Sequence, residues 1–544
     1  MASISQFWPA ALLAAAVLVA AKLWSNYQYN RKYRLPPGPK GIPYFGNMFQ
    51  MPAYHQGPWA KEMAEKYGEM FTIKVASNTW VFLNSSRVVN ALLEKRSAIY
   101  SSRPSFPFTS DLMSGGCRMV VQPYGAQWRA IRKIMHSILN IKNASLFAPF
   151  QDLESKQLLY EVLERPEEWW KANQRFANSV IMSVVFGKRI MEREEENVEK
   201  LFDTSREFIM ALQPGANLVD TFYILDRLPA PFKWWRTRGK EAFGRVINVY
   251  ETEVADLKRR MQNGTCPPCF ATKFLADPET EKLGRTQTLF ALGSLMEAGS
   301  DTSRMTLSQI IAAAAADSRW VRTAQAQIDA VCGFGVRLPD FADKTALPYL
   351  SAVAKEGFRW RPFAEIGVPH LLIKDDDFEG YRFPKDTVFT WNSWALALSG
   401  DEYQDPTRFW PERWLQGGEE GLEDPLKGHW SFGAGRRVCT GYHVGDSNVW
   451  IAAARLLACF DFAEVEVWFL LLLLLLLLLL LLLSALCCTM RLTADISKGN
   501  PIDTMNLNVG EHRWAPFGVK ITVRSQKHRE LIERVGKPAL DVKY

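Results

Sequence analysis

The sequence predicts a mainly α-helical protein with small β-sheets, carrying a membrane-spanning helix at its N-terminus. Three observations predict this. A long helical pattern runs from Thr286 to Ala316, and a second follows a glycine-rich loop from His443 to Leu457. Short runs of β-branched and aromatic residues, Thr72–Val75 and Thr79–Leu83, read as a hairpin. The segment Phe7–Ala21 is continuously apolar.

The N-terminal elements come first. No charged side chain precedes the apolar segment, whereas Lys22, Arg31, Lys32 and Arg34 follow it. That asymmetry places the C-terminal flank in the cytosol. Lys22 can snorkel, and Trp8 and Trp24 suit the interfaces. A cleaved signal peptide would carry its positive end first. Residues 1–24 are therefore expected to be a transmembrane signal-anchor. Residues 25–44 are expected to be a basic, proline-rich hinge, stiffened by Leu35-Pro-Pro-Gly-Pro39. Further on, Phe378–Phe383 and Thr387–Thr390 read as strands.

Composition excludes several classes. A net charge of +7 without a basic, aromatic-interleaved patch gives no nucleic-acid partner. Eight scattered cysteines form no disulfide framework. Cys266-Pro-Pro-Cys269 lies outside any βαβ context and reads as a loop. Gly333-Phe-Gly335 lacks a third glycine and an acidic ribose partner, so the chain shows no dinucleotide fingerprint.

The most informative residues are Phe432-Gly-Ala-Gly-Arg-Arg-Val-Cys-Thr-Gly441. One cysteine sits on a glycine-punctuated loop, with Arg437 two residues before it. Thiolates need a metal, a cation or backbone N–H groups, and Gly435 and Gly441 let backbone approach a flat ligand. Thiolate is also an axial ligand that proteins offer haem iron. Three further patterns follow. Glu356-Gly-Phe-Arg359 places two opposite charges at i, i+3 on one helix face. Ala298-Gly-Ser-Asp-Thr302 puts a glycine among polar residues inside a helix, where the hydrogen-bond ladder loosens. Trp128-Arg-Ala-Ile-Arg132 puts an indole and a guanidinium on one face, suited to a carboxylate.

In these motifs and their order the chain resembles the cytochrome P-450 family, the haem-thiolate monooxygenases, in its microsomal filamentous-fungal form. The resemblance runs from Leu35 to about Glu533 and implies one catalytic domain over residues 45–544. It implies haem b as cofactor, with Cys439 the axial ligand of the iron, set among Phe432, Gly435 and Gly441. Trp128, Arg132, His370 and Arg437 would meet the haem propionates. Glu356 and Arg359 would join Arg413, of Pro411-Glu-Arg-Trp414, in a buried ionic cluster. Asp301 and Thr302 would deliver protons to dioxygen. An apolar substrate pocket would be lined by Phe106, Phe108, Met113, Ala298, Ile366 and Val368.

The implied activity inserts one oxygen atom of O2 into a small hydrophobic organic substrate by hydroxylation or epoxidation, in secondary metabolism or detoxification. The implied partners are NADPH–cytochrome reductase and membrane lipid, with the body on the cytosolic side of the endoplasmic reticulum. Arg129, Lys133 and Arg436 are candidates for the reductase face. Two alternatives stand beside this: a haem-thiolate isomerase or dehydratase that needs no O2, which could dispense with the Asp301-Thr302 pair, and a non-catalytic membrane scaffold on the same fold.

One segment departs from the family. Val467–Cys488 carries no charge and contains fourteen successive leucines, Leu470–Leu483, long enough to span a bilayer. A span there would send Trp514–Val523, which resembles the fold's terminal strands, across the membrane. Residues 467–494 are therefore expected to be a translated intron, because joining Glu466 to Asp495 restores the family's spacing.

Overall fold

The computed structural model describes residues 7–52, 55–76, 78–192, 196–213, 215–416, 419–465, 502–507, 509–510 and 513–544. The leucine-rich segment lies outside the described residues, as do most side chains of residues 1–24.

The expected N-terminal helix forms but is longer than anticipated, running Phe7–Lys32. Nothing between Trp24 and Lys32 breaks a helix, and the chain turns extended only before Pro36. Among the described residues no helix is long and apolar enough to cross a membrane. The extended part of the expected hinge is fastened to the body. Arg34 and Arg382 exchange backbone hydrogen bonds, and Thr72 N–H donates to Pro37 O at 2.9 Å.

Strands β1 (Met70–Val75) and β2 (Asn78–Leu83) make the expected hairpin. It is completed by strands from much later in the chain, in the order β1-β2-β6-β3, with β3 at His370–Leu371 and β6 at Val388–Trp391. Strand β2 runs parallel to β6, with Trp80 opposite Val388. The segment 378–383 is not one strand. It is two short ones, β4 (Asp376–Phe378) and β5 (Tyr381–Phe383), reversed at Glu379 and Gly380. Both turn residues have positive φ, 49° and 81°, the geometry of a tight hairpin turn. A glycine in mid-run was the sequence signal for it.

The helical body is built around Arg285–Ala316, which buries nearly its whole circumference and so shows little amphipathic contrast. It ends where Asp317 turns extended and caps the next helix through Arg319 N–H. Helix Trp169–Phe186 packs closely against it. A Cβ at Gly299 would sit 2.4 Å from Ile181 Cδ1, and one at Gly293 would sit 2.4 Å from the Tyr250 ring. The expected loosening at Gly299 is not seen: the helix is continuous from end to end. Gly299 is required by this close approach.

Helix Tyr442–Cys459 follows the cysteine loop and leads straight into β7 (Phe460–Glu464). Its antiparallel partner is β8 (Val519–Val523), with Phe460 opposite Val523 and Glu464 opposite Val519. The strands on either side of the leucine-rich segment thus close one ladder. Helix Gln526–Asp541 then lies on helix Ala144–Glu164, held by Arg189, which donates to Ala539 O at 2.7 Å and Val542 O at 2.5 Å.

Candidate active site

Glu356 and Arg359 lie on helix Pro348–Trp360, both fully buried. Arg359 grips the carboxylate with two prongs, Nη2 to Oε1 at 2.6 Å and Nε to Oε2 at 2.9 Å. Arg413 Nε approaches Oε1 at 3.2 Å, and Trp410 N–H and Trp414 Nε1 donate at 2.9 and 3.0 Å. The expected triad is therefore assembled, with two Trp donors added. Arg359 also donates to Ala397 O and Pro406 O, so the cluster ties the helix to the loop that precedes the cysteine segment.

In that segment, Cys439 N–H donates to Phe432 O at 2.8 Å, closing the loop. Gly435 has φ 59°, and a Cβ there would lie 2.1 Å from Leu93 O; only glycine fits. At Gly441 a Cβ would meet no protein atom within 4 Å, so the chain's own packing does not demand glycine there. The Phe432 ring packs against Phe358, with centroids 4.8 Å apart. The Cys439 side chain is exposed although it lies deep in the protein, and that depth pushes its thiol pKa up. The Gly441 N–H and the Arg132 guanidinium oppose this. The thiol is thus accessible and set beside a cation and a backbone donor, the surroundings that stabilise thiolate.

Above it lies a group of cations. Trp128 and Arg132 share one face of helix Ala126–Leu139, and Arg132 Nη2 donates to Val438 O next to the cysteine. Arg437 stacks on the Trp128 ring at 4.1 Å and donates to Ser101 O, Gln122 O and Met119 O. Arg103 donates to Pro369 O at 2.6 Å, Val120 O at 2.8 Å and Val368 O at 3.0 Å. None of the three guanidiniums has a carboxylate partner among the described residues. Burial depresses all three, Arg437 to about 9.

His370 sits among them. Burial first, and then the charge of Arg103, push its pKa well down. The neutral ring donates from Nδ1 to Tyr100 O at 2.7 Å, leaving Nε2 buried and unpartnered. An uncompensated buried cation group is costly. A ligand bearing two carboxylates would neutralise it and favour the imidazolium of His370. Haem b, with two propionates, has that chemistry, and the residues present fit it.

Arg103 was not foreseen from sequence. Its only signal was Ser101-Ser-Arg-Pro104 in a loop; its role comes from meeting Val368 and Pro369 far along the chain.

On the central helix, Ala298 is exposed in the midst of buried neighbours. One turn on, Thr302 Oγ1 donates to Ala298 O at 2.9 Å, keeping its lone pairs free. Asp301 is ion-paired with Arg304 at 2.7 Å. Of the expected pocket residues, Phe108 and Met113 are fully buried, packed with Phe208, Val219 and Trp235 in a cluster of their own. Their apolar character is spent on that core. Ile366 packs on the cluster of β1 and β2, and Phe106 borders a small cavity with Trp80 and Asp220. Val368 presents its carbonyl to Arg103. The six therefore do not all serve one pocket wall.

Arg129, Lys133 and Arg436 are exposed. Arg129 and Arg436 both lie 5.4 Å from the Tyr124 ring.

Comparison with known proteins is consistent with this arrangement. Residues 36–470 match the family model described as Cytochrome P450. The chain is 34% identical to cytochrome P450 monooxygenase verL of Clonostachys rogersoniana over 461 residues, covering 82% of this chain and 83% of the relative. It is 32% identical to monooxygenase fogE of Aspergillus ruber (82% and 84% covered) and 34% identical to monooxygenase patI of Penicillium expansum (80% and 84%).

Proposed function

The chain belongs to the cytochrome P450 family and is a haem-thiolate monooxygenase, and from that premise we propose the residue roles, reaction and setting that follow. The net reaction converts a substrate R–H, O2, NADPH and a proton into R–OH, water and NADP+; with an alkene the product is the epoxide. The substrate is a small hydrophobic organic molecule, in fungal secondary metabolism or detoxification. The bound haem supplies the iron at which dioxygen is reduced and one oxygen atom is passed to the substrate.

The chain's own residues do the rest. Cys439 would hold the iron as thiolate, its charge steadied by the Gly441 N–H and Arg132. Arg103, Arg132, Arg437 and His370 would receive the propionates and so orient the haem. Glu356, Arg359 and Arg413 lock the loop that leads into the cysteine segment. Thr302 offers a hydroxyl whose own hydrogen is committed to Ala298 O; it accepts from a proton-carrying water and positions it. Asp301, held by Arg304, supplies that water with protons from outside.

The observation that carries this reading is the accessible Cys439 beside a buried group of cations that have no carboxylate partner among the described residues. Reduced, carbon monoxide-treated protein should show the thiolate-type Soret band, and Cys439→Ala should abolish it while Cys266→Ala leaves it. A histidine-type band in freshly purified protein sinks the assignment. With NADPH, reductase and labelled dioxygen, one labelled atom should enter product.

Electrons come from NADPH through a membrane-bound reductase, whose acidic face would meet Arg129, Lys133 and Arg436. The protein sits on the endoplasmic reticulum through residues 1–24. A supporting observation is a set of exposed apolar side chains, Tyr44 (85%), Phe49 (68%), Ile224 (64%) and Trp234 (63%). The two segments they come from touch through the Phe45 and Phe222 rings, 5.9 Å apart. Such a patch suits a lipid surface.

A further inference from the structure

Behind the cysteine segment lies a buried histidine that the chemistry above does not use. His429 is 7% exposed and stands three residues before Phe432, whose carbonyl accepts from Cys439 N–H. Its ring stacks on Phe358, from the helix that carries Glu356 and Arg359, with centroids 5.7 Å apart and planes inclined by 25°. It also meets the Phe432 ring at 5.8 Å and stands nearly perpendicular to the Trp414 ring at 6.4 Å. Ser431 strengthens the join, its Oγ donating to Phe358 O at 2.6 Å. The imidazole thus sits where the helix of the ionic cluster meets the loop of the axial cysteine.

The hydrogen bonds fix its tautomer. Ser431 N–H donates to Nδ1 at 3.3 Å, so Nδ1 offers a lone pair and the hydrogen sits on Nε2. Burial, and then the charges of Lys355 and Arg359, push the pKa down to about 3, so the ring stays neutral. Nε2 is buried and has no partner among the described residues. Neighbouring polar groups are committed elsewhere: Ser431 Oγ to Phe358 O, the Tyr403 hydroxyl to Gly428 O, and Arg359 to Glu356 and Ala397 O. A buried donor left unmade is costly, and such a group calls for an occupant. His429 lines a cavity of about 10 Å³ together with Ser393, Ala397, Tyr403, Ser431 and Arg359. That is room for one water and nothing larger. Ser393, itself 7% exposed, offers a hydroxyl as a second partner for it.

We propose that His429 is a positioning residue for the axial cysteine: its Nδ1 folds residues 429–431, its ring seats Phe432, and its Nε2–H is satisfied by one bound water that joins the cysteine segment to the ionic cluster. This rests on the function proposed above. His429 acts on the iron only through Phe432 and Cys439. Without it the Ser431 N–H loses its acceptor and Phe432 loses a neighbour. The loop then slackens, and the sulfur gains the freedom to take up a proton.

The test uses full-length, haem-loaded protein, reduced under carbon monoxide, and follows the rate at which the thiolate-type Soret band gives way to the thiol-type band. His429→Phe keeps a ring and loses both nitrogens. It should convert about tenfold or more faster than wild type, the value of a buried donor left unpaired, at equal starting haem content. His429→Asn, whose Oδ1 can replace Nδ1 toward the Ser431 N–H, should stay near the wild-type rate. On packing alone the smaller Asn would be the worse of the two, so the order of the variants separates positioning from bulk. A crystal structure of the haem-loaded protein should show one ordered water within hydrogen-bond distance of His429 Nε2. Equal rates in His429→Phe and wild type, an Asn variant that converts faster than the Phe variant, or no water at Nε2 each overturn the proposal. Should His429→Phe load no haem, His429→Asn decides: a band as stable as wild type supports the proposal, and tenfold faster conversion or failure to load haem overturns it. Absence of the thiolate-type band in the wild type would instead remove the haem-thiolate reading.

Discussion

Replacing Glu356 by alanine should dismantle the site without touching any group that meets substrate. The carboxylate accepts from Arg359 Nε and Nη2, Arg413 Nε, Trp410 N–H and Trp414 Nε1. Its removal strands two guanidiniums whose side chains are 0% and 7% exposed. Breaking one buried pair costs about 3–5 kcal/mol, a factor of roughly 10² to 10⁴ in an equilibrium constant. The same cost lowers a global melting temperature by only a few degrees in a chain this long, because unfolding entropy grows by about 2.1 cal/mol/K per residue. Melting is therefore the wrong measurement. The loss falls on the loop that Arg359 holds through Ala397 O and Pro406 O, so haem retention is the right one. Glu356→Ala should lose haem to excess apomyoglobin at least a hundredfold faster than wild type. The double variant Glu356→Leu/Arg359→Leu should recover part of this, since it removes the unpaired charge as well as its partner. If Glu356→Ala holds haem as tightly as wild type, the triad does not support the cysteine segment and the reasoning fails.

Three further outcomes are expected. Arg103→Gln keeps two N–H donors, enough for two of the three carbonyls of Val120, Val368 and Pro369, but removes the charge, and should weaken haem binding by roughly 10- to 150-fold, the value of a charged hydrogen bond; unchanged affinity places the propionates elsewhere. Thr302→Ala should leave NADPH consumption running while product falls and peroxide rises, with up to the 10²–10⁴-fold effect typical of lost general acid–base assistance, because the proton-carrying water loses the hydroxyl that positions it; full coupling would show that the hydroxyl is not used. Deleting residues 467–494 should raise the yield of soluble, haem-loaded protein, and a glycine-serine segment of equal length should do the same; if this segment is present in most spliced messages of an active enzyme, it is not a retained intron.

The sequence made local features legible and left convergent ones dark. The helix expected from Thr286 to Ala316 is found at Arg285–Ala316, because its pattern is long and uninterrupted. Glu356, Arg359 and Arg413 come together as their motifs implied. Asp301 is near Thr302 in the chain, but its partner Arg304 needed the helix to be seen. Arg103 was missed because it gains its meaning from a residue far away, at Val368, and nothing local distinguishes a buried arginine from an exposed one. Phe108 and Met113 err in the opposite direction. Apolar residues near a site are chemically the same whether they line a pocket or fill the core behind it, and only packing tells them apart.

The β7–β8 ladder has a consequence for how such a chain tolerates length. Glu464 and Val519 face each other across the end of the ladder, so the two strands close the connection between them, and of its described residues Leu507, Val509, Ala515 and Phe517 are buried in the core. Closing a loop costs entropy only as the logarithm of its length, about 0.6 kcal/mol per doubling. Removing residues 467–494 shortens that connection by about half and changes the closure term by no more than about 0.6 kcal/mol. Folding stability is thus nearly blind to the extra sequence, and the ladder would form almost equally well with or without it. A fold so indifferent to what hangs from this hairpin offers a permissive site for insertion, where a tag or a tethered redox domain would be carried at little thermodynamic cost.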